Sequence, residues 1–204
     1  SSDLRVAVVG AGAWGTTIDA LIARVEPVTL VCHSAATVAE IAADHRNDHR
    51  LPGIELPPGI RATADLADIA GAAELVVVAV PSRHLRATAA AAGPHLSPTA
   101  DVLSVVKGLE NGTLLRMTEV IAQAAGVEPA RLAALSGPNL AMEIARGLPA
   151  SAVVAAEDPD VAARVTRRLG RREFRLYVNR DVLGVELGGA LKNVIAIAAG
   201  AADA

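Results

Sequence analysis

Six residues near the start constrain this chain most: Gly10-Ala11-Gly12-Ala13-Trp14-Gly15, directly behind the apolar run Val6-Ala7-Val8-Val9. The spacing is G-x-G-x-x-G, set between a strand pattern and a helical one. Each glycine answers a separate steric demand. Gly10 allows the tight turn off the strand, Gly12 lets a pyrophosphate approach the backbone, and Gly15 lets the helix pack closely on the strand. The helix N-terminus then offers amides and the positive end of a dipole to phosphate. Glycine turns are common, so the motif draws its meaning from the strand before it and the helix after it. Both are present. A dinucleotide cradle is the expectation, and a turn that binds nothing is the competing reading.

The remaining pattern fits such a cradle. Apolar strand segments are expected at 6–9, 28–32, 75–80, 102–106, 132–135, 151–155 and 173–178. Helical periodicity is expected at 13–24, 37–43, 82–92, 113–125, 140–146, 159–169 and from Asp181 onward, with a short helix at 65–70. In the first helix, Ile18, Leu21, Ile22 and Val25 make the apolar side, and Ser34 is a candidate cap for the second. The segment 45–59 reads as an ordered polar loop. Strands alternating with helices on short connections imply an α/β fold with a doubly wound, mainly parallel sheet. Ligands of such sheets bind beyond the carboxyl ends of the strands. Gly10–Gly15, His33, Pro81-Ser82, Lys107-Gly108 and Ser136–Asn139 all collect there.

Composition narrows the function classes. The chain has 204 residues, 52% of them hydrophobic, enough for a large core. A net charge of −3 without a basic stripe argues against a nucleic-acid partner. The single cysteine, Cys32, excludes an intrachain disulfide and a cysteine-based metal cluster, and no metal site is expected. The chain enters a strand almost at once, and no apolar run is expected to reach the roughly 18 to 20 residues that cross a membrane. A cytoplasmic protein is the expectation. Of 19 basic residues only two are lysines, Lys107 and Lys192. Arginine stays protonated, whereas lysine can be tuned to give and take a proton. The two lysines are therefore candidates for chemistry, against the reading that they are surface charges left by chance.

The nucleotide type is read from the end of the second strand. Such folds place Asp or Glu about 20 residues past the glycines, on the ribose 2′-hydroxyl. Here the strand ends Cys32-His33-Ser34, with no acid. A carboxylate would repel a 2′-phosphate, and His33 and Ser34 would not. The sequence leans towards NADP, or towards tolerance of NADP and NAD. His33 as a solvated loop residue is the alternative.

Lys192 lies in Gly184-Val185-Glu186-Leu187-Gly188-Gly189-Ala190-Leu191-Lys192-Asn193. Each glycine weakens a helix by about 1 kcal/mol relative to Ala, so three need a reason, such as close approach by a cofactor or another element. Glu186 and Lys192 are six residues apart and are not an i,i+4 ion pair. Gly188 and Gly189 leave an open surface beside the Lys192 amine, and Asn193 adds a donor and an acceptor.

Taken together, Gly10–Thr16, Val80-Pro81-Ser82, Lys107-Gly108-Leu109-Glu110, Ser136-Gly137-Pro138-Asn139, Ala141 with Glu143, and Gly184–Asn193 with Val194–Gly200 make a recognisable series. The chain resembles the bacterial NAD(P)-dependent glycerol-3-phosphate dehydrogenases over essentially its whole length. The resemblance implies a Rossmann-type domain over 1–180 and the first helix of a helical substrate domain over 181–204. It implies reversible reduction of dihydroxyacetone phosphate to sn-glycerol 3-phosphate, feeding phospholipid synthesis. Ala13, Trp14, His33 and Ala141 would touch the cofactor, with Gly10, Gly12, Gly15 and Pro81 around them. Lys107 would be shared between cofactor and substrate. Gly137 and Asn139 would touch substrate. Lys192 would donate or accept the proton, with Lys107 and Asn193 beside it. A lysine pKa lowered by burial or by a neighbouring cation suits that role, and Lys107 could be the neighbour of Lys192.

The family continues past Ala204 into helices that carry an Arg-Asn pair for the phosphate. The chain is therefore read as a truncated piece with little activity of its own. Asp19 stands where the family has a small apolar residue, and must reach solvent or a partner. Three alternatives stay open. One is a dehydrogenase of the same class acting on a hydroxy acid or a sugar phosphate. Another is a non-catalytic dinucleotide-binding module. The third is an assembly domain that packs through the glycine-rich helix. For the enzyme reading itself, a homodimer is the expected assembly.

Overall fold

The computed structural model describes residues 6–69 and 73–203. Its strands are β1 (Val6–Val9), β2 (Val28–Val31), β3 (Ile60–Thr63), β4 (Leu75–Val78), β5 (Asp101–Ser104), β6 (Leu132–Ser136), β7 (Ala150–Ala156) and β8 (Phe174–Asn179). Its helices are α1 (Ala13–Ala23), α2 (Ala35–Asp44), α3 (Ser82–Ala92), α4 (Met117–Ala125), α5 (Ala141–Ala145), α6 (Pro159–Leu169) and α7 (Val182–Ala202).

The strands form one sheet in the order β3-β2-β1-β4-β5-β6-β7-β8. Every residue of β1, β2 and β4 is buried, as Val-rich strands covered on both faces should be. Alternate residues of β1 point to opposite layers. Val6 and Val8 join Ile18, Leu21, Ile22, Val161 and Val165 under α1 and α6. Ala7 and Val9 join Leu85, Met117, Val120 and Ile121 under α3 and α4. The strand order reverses between β2 and β4, on either side of β1, which opens a crevice at the carboxyl ends there. One pairing runs against the others: β7 is antiparallel to β6. The only helix joining them is the five-residue α5, far short of the full helix that usually makes a parallel crossover.

The doubly wound, mainly parallel architecture is as the sequence implies, and Ser34 caps α2 by accepting from the Ala36 amide at 3.2 Å. Several details differ. Strand β3 is unexpected; its four residues pair with β2 and only its two ends are buried. The short helix read at 65–70 is a 3₁₀ turn at Leu66–Ile69, with Ala70 outside the described residues. The helix read from 113 starts at Met117 instead. Residues 109–116 form a hairpin, with a Leu109–Arg116 bridge, a Glu110 amide bond to the Leu115 carbonyl at 2.9 Å, and Leu114 at φ 60°. Val25 is 63% exposed, so the apolar side of α1 ends at Ile22. Helix α7 also corrects the reading of apolar runs. Its 21 residues are long and apolar enough to cross a membrane by length and composition.

Asp19 reaches neither solvent nor a partner. It is fully buried in α1, and neither carboxylate oxygen has a hydrogen bond. Burial holds its carboxyl well above the usual range, and burial with Asp19 nearby pushes the Cys32 thiol up to about 11. A neutral carboxyl without partners still costs about 1–3 kcal/mol. Asp19→Ala is expected to stabilise the fold by about that amount at neutral pH, read from urea unfolding. The native state keeps a proton that the unfolded chain releases above an ordinary Asp value of 3.8. Asp19 therefore destabilises increasingly as pH rises through that value, and the gain from Asp19→Ala should shrink below it. A less stable Asp19→Ala variant would mean that the carboxyl has a favourable role in the core.

Candidate active site

The glycine loop joins β1 to α1 as its spacing implies. Gly10 has φ 114°, and a Cβ there would lie 2.6 Å from the Ala79 carbonyl oxygen. A Cβ on Gly15 would lie 1.9 Å from the carbonyl oxygen of Gly10. Gly12 differs from both: a Cβ there meets nothing within 4 Å. Gly10 and Gly15 are thus fixed by the protein's own packing, while Gly12 faces open space. No side chain caps α1, and its first turn carries no acid. This is the arrangement a pyrophosphate needs: a gap beside Gly12 and helix-end amides without a competing anion.

The second centre lies where β6, the start of the 109–116 hairpin and α7 meet. Lys107, Ser136, Gly137, Pro138, Gly188, Gly189 and Lys192 are among the residues lining one pocket of about 370 Å³. Lys107 Nζ donates to the Gly137 carbonyl at 2.7 Å. Partial burial, and then the charge of Lys192, lower the Lys107 pKa. The sequence reading makes Lys107 the cation that lowers the Lys192 pKa; the lowering here falls on Lys107, with Lys192 as its second cause. Gly137 admits no side chain, since a Cβ would stand 2.8 Å from the Ser151 carbonyl oxygen on β7. Gly189 lets α7 approach β6: a Cβ there would overlap Ser136 Oγ at 2.4 Å. Gly188 stays open to the pocket. Gly184 is explained by its own helix cap, Asp181, which accepts from the Gly184 amide at 2.8 Å. Among the described residues, no three His, Cys, Asp or Glu side chains gather in a way that could hold a metal ion.

The family model described as NAD-dependent glycerol-3-phosphate dehydrogenase N-terminus matches residues 5–162, and the corresponding C-terminus model matches residues 181–204. The chain belongs to the NAD-dependent glycerol-3-phosphate dehydrogenase family. A glycerol-3-phosphate dehydrogenase (NAD(P)+) of Streptomyces coelicolor is 45% identical over 204 residues, which are 100% of this chain and 61% of that protein. One from Corynebacterium urealyticum is 44% identical over 98% of this chain and 60% of its own length. The crystal structure of glycerol-3-phosphate dehydrogenase from Coxiella burnetii superposes with a TM-score of 0.88 at 32% identity, covering 98% of this chain and 61% of that one. The chain spans about 60% of the length of the curated relatives it matches.

The dehydrogenase family's motif residues fall into two groups here. Lys107, Gly137 and Lys192 share the pocket. Asn139 and Asn193 are not among its lining residues; both polar atoms of the Asn139 side chain are buried without partners, and Asn193 is exposed. Around the glycine loop, Thr17 Oγ1 donates to the carbonyls of Ala13 at 2.9 Å and Ala141 at 3.2 Å, so α5 is fastened beside the start of α1. The ring of Trp14 packs edge-on against Phe174, centroids 6.2 Å apart. Pro81 leads into α3, and exposed His33 follows β2.

Three residues to which the sequence assigns no role support this site. Asn47 is fully buried, and its amide donates to the Ala11 carbonyl at 3.1 Å and to Thr16 Oγ1 at 2.9 Å, pinning the glycine loop. An Asn in a polar stretch gives no local sign of this. Arg86 grips Glu110 through two bonds of 2.7 Å. Together with the Thr113 hydroxyl, that grip holds the Glu110 carboxyl down at about 2. Glu186 is the third residue.

Proposed function

We propose that this chain is the dinucleotide-binding and proton-transferring part of an enzyme that interconverts dihydroxyacetone phosphate and sn-glycerol 3-phosphate with NADP or NAD. One observation carries the reading: the chain's only two lysines converge on one pocket at the carboxyl edge of the sheet. Residues 1–180 serve as the dinucleotide domain and residues 181–204 begin the substrate domain. Gly10, Gly12, Ala13, Trp14 and Gly15 supply the phosphate cradle, with His33, Pro81 and Ala141 towards the rest of the cofactor.

The nicotinamide, when bound, supplies or takes the hydride at the substrate's C2. Lys192 protonates the C2 oxygen as its charge develops, and in reverse accepts the alcohol proton through its neutral amine. Lys107, held by the Gly137 carbonyl, places a second positive charge beside cofactor and substrate. Gly137 orients the substrate from the pocket wall. Asn139 and Asn193 lie outside that wall, and their substrate role rests on the family motif alone. The exposed apolar residues of α7, Val194, Ile195 and Ile197 among them, are read as the face that further helices cover. A cytoplasmic homodimer completes the reading.

Turnover by the full-length protein tests it. Oxidation of NADPH and NADH should be rapid with dihydroxyacetone phosphate and negligible with small 2-keto acids. A preference for keto acids or for other sugar phosphates would reassign the substrate. Nucleotide binding without any turnover would leave a binding module.

A further inference from the structure

Helix α7 carries Lys192, yet hydrophobic burial does little to seat it. Leu183, Leu191, Val194, Ile195 and Ile197 are all exposed, and the one buried residue of the helix is a carboxylate, Glu186. A carboxylate that is 7% exposed needs partners to offset its lost hydration. Glu186 has three. Its Oε1 accepts from the Thr118 backbone amide at 2.9 Å. Its Oε2 accepts from Thr118 Oγ1 at 2.7 Å and from the Arg116 guanidinium at 3.0 Å.

These partners begin α4. The N-cap residue there is Arg116, whose side chain has no acceptor and so cannot cap the helix. Glu119 reaches back to the Arg116 amide at 2.9 Å, which leaves the Thr118 amide as an orphan donor of the first turn. Glu186 meets that donor from another helix and adds negative charge at the positive end of α4. Arg116 also closes the 109–116 hairpin through its bridge to Leu109, two residues from Lys107.

We propose that Glu186 is a positioning residue for the two-lysine site: one carboxylate ties the helix bearing Lys192 to the hairpin that follows Lys107. Helical geometry shows how. Gly189 is three residues beyond Glu186, and Lys192 three beyond Gly189. Each step advances about 4.5 Å and turns about 60° round the helix. Glu186 locks the roll of α7 on one side, contact of Gly189 with Ser136 sets its depth, and Lys192 is carried round to the pocket. The catalytic consequence rests on the dehydrogenase reading; the geometric part does not.

The two-lysine composition allows a direct test on this chain. Reductive methylation with ¹³C-formaldehyde labels both lysines and the terminal amine, and a Lys192→Arg variant assigns the signals. In Glu186→Gln, a loosened α7 should hydrate Lys107 and move it away from Lys192. Its titration midpoint is then expected to rise by about half a pH unit or more. Loss of a negative charge acting only through space would lower that midpoint. A carboxylate that merely stabilises α4 would lower Tm and leave the midpoint alone. An unchanged or lowered midpoint in folded Glu186→Gln overturns the proposal. If that variant does not fold, Thr118→Val removes one of the three bonds and keeps the carboxylate. It should give a smaller rise, and no rise overturns the proposal equally. In the full-length protein, Glu186→Gln should cut kcat about 10- to 100-fold with nucleotide affinity unchanged, the cost of a misplaced acid. Absence of turnover in the unsubstituted full-length protein would sink the substrate assignment, while the lysine titration still decides the role of Glu186.

Discussion

Lys192→Met in the full-length protein is expected to lower kcat for dihydroxyacetone phosphate by about 10²- to 10⁴-fold, the usual worth of a positioned general acid or base. Methionine keeps an unbranched stem and removes the ammonium. The structure makes the two effects separable, because Lys192 is exposed at the pocket and its side chain makes no hydrogen bond or ion pair among the described residues. The fold, and the glycine loop on α1, should therefore be unaffected, and nucleotide affinity should stay near its original value. Lys192→Arg restores charge but not function, since a guanidinium does not cycle its proton near neutral pH. The substitution has a second reading at Lys107. Lys192 is one of the two causes that lower the Lys107 pKa, so its loss should let that pKa climb. Near-normal kcat in either variant would remove Lys192 from the chemistry. An unchanged Lys107 titration would show that the two amines do not interact.

What the sequence could reveal follows from how far each feature reaches along the chain. The strand–glycine–helix unit is local: ten consecutive residues carry the apolar run, the turn and the helix start, and all fall where their spacing implies. Helices such as α3 and α6 are equally legible, with Pro and Gly at their ends. Strand β3 was hidden because a four-residue edge strand with half-exposed side chains has no apolar run to display. The 109–116 hairpin was hidden because Thr113–Arg116 continues the helical pattern in register, while what breaks it, the bond from the Glu110 amide to the Leu115 carbonyl and the Leu109–Arg116 bridge, leaves no mark in the sequence. The site divides the same way. The scarcity of lysine points to Lys107 and Lys192 directly. Asn47, Arg86 and Glu186 act on segments 36, 24 and 70 residues away, and nothing near them in sequence announces those partners. Trp14 adds a second long-range contact of this kind: its ring is seated against Phe174 on the last strand, which the glycine motif around it does not announce.

Gly12→Val is expected to leave a folded chain that no longer binds NADPH or NADH, while Gly15→Ala is expected to damage the fold itself. The contrast follows from what a Cβ meets. At Gly15 it lands 1.9 Å from the Gly10 carbonyl oxygen, a backbone atom held in turn by the bond from the Gly10 amide to the Val31 carbonyl at 3.0 Å. Neither can move without separating α1 from β1, and overpacking of that kind costs about 3 kcal/mol or more. At Gly12 the added atoms enter open space, so the fold has no reason to change. That space is where the phosphates must come if the helix-end amides are to reach them. Losing two charge-assisted bonds at about 1.5 kcal/mol each weakens binding by about 100-fold or more. Titration followed by Trp14 emission reads the result, because Trp14 is the only tryptophan and lies within the loop. Circular dichroism should report native helix content for Gly12→Val and reduced cooperativity of unfolding for Gly15→Ala. Undiminished binding by a folded Gly12→Val variant would move the cofactor away from this loop, and would leave the G-x-G-x-x-G spacing explained by the packing of Gly10 and Gly15 alone.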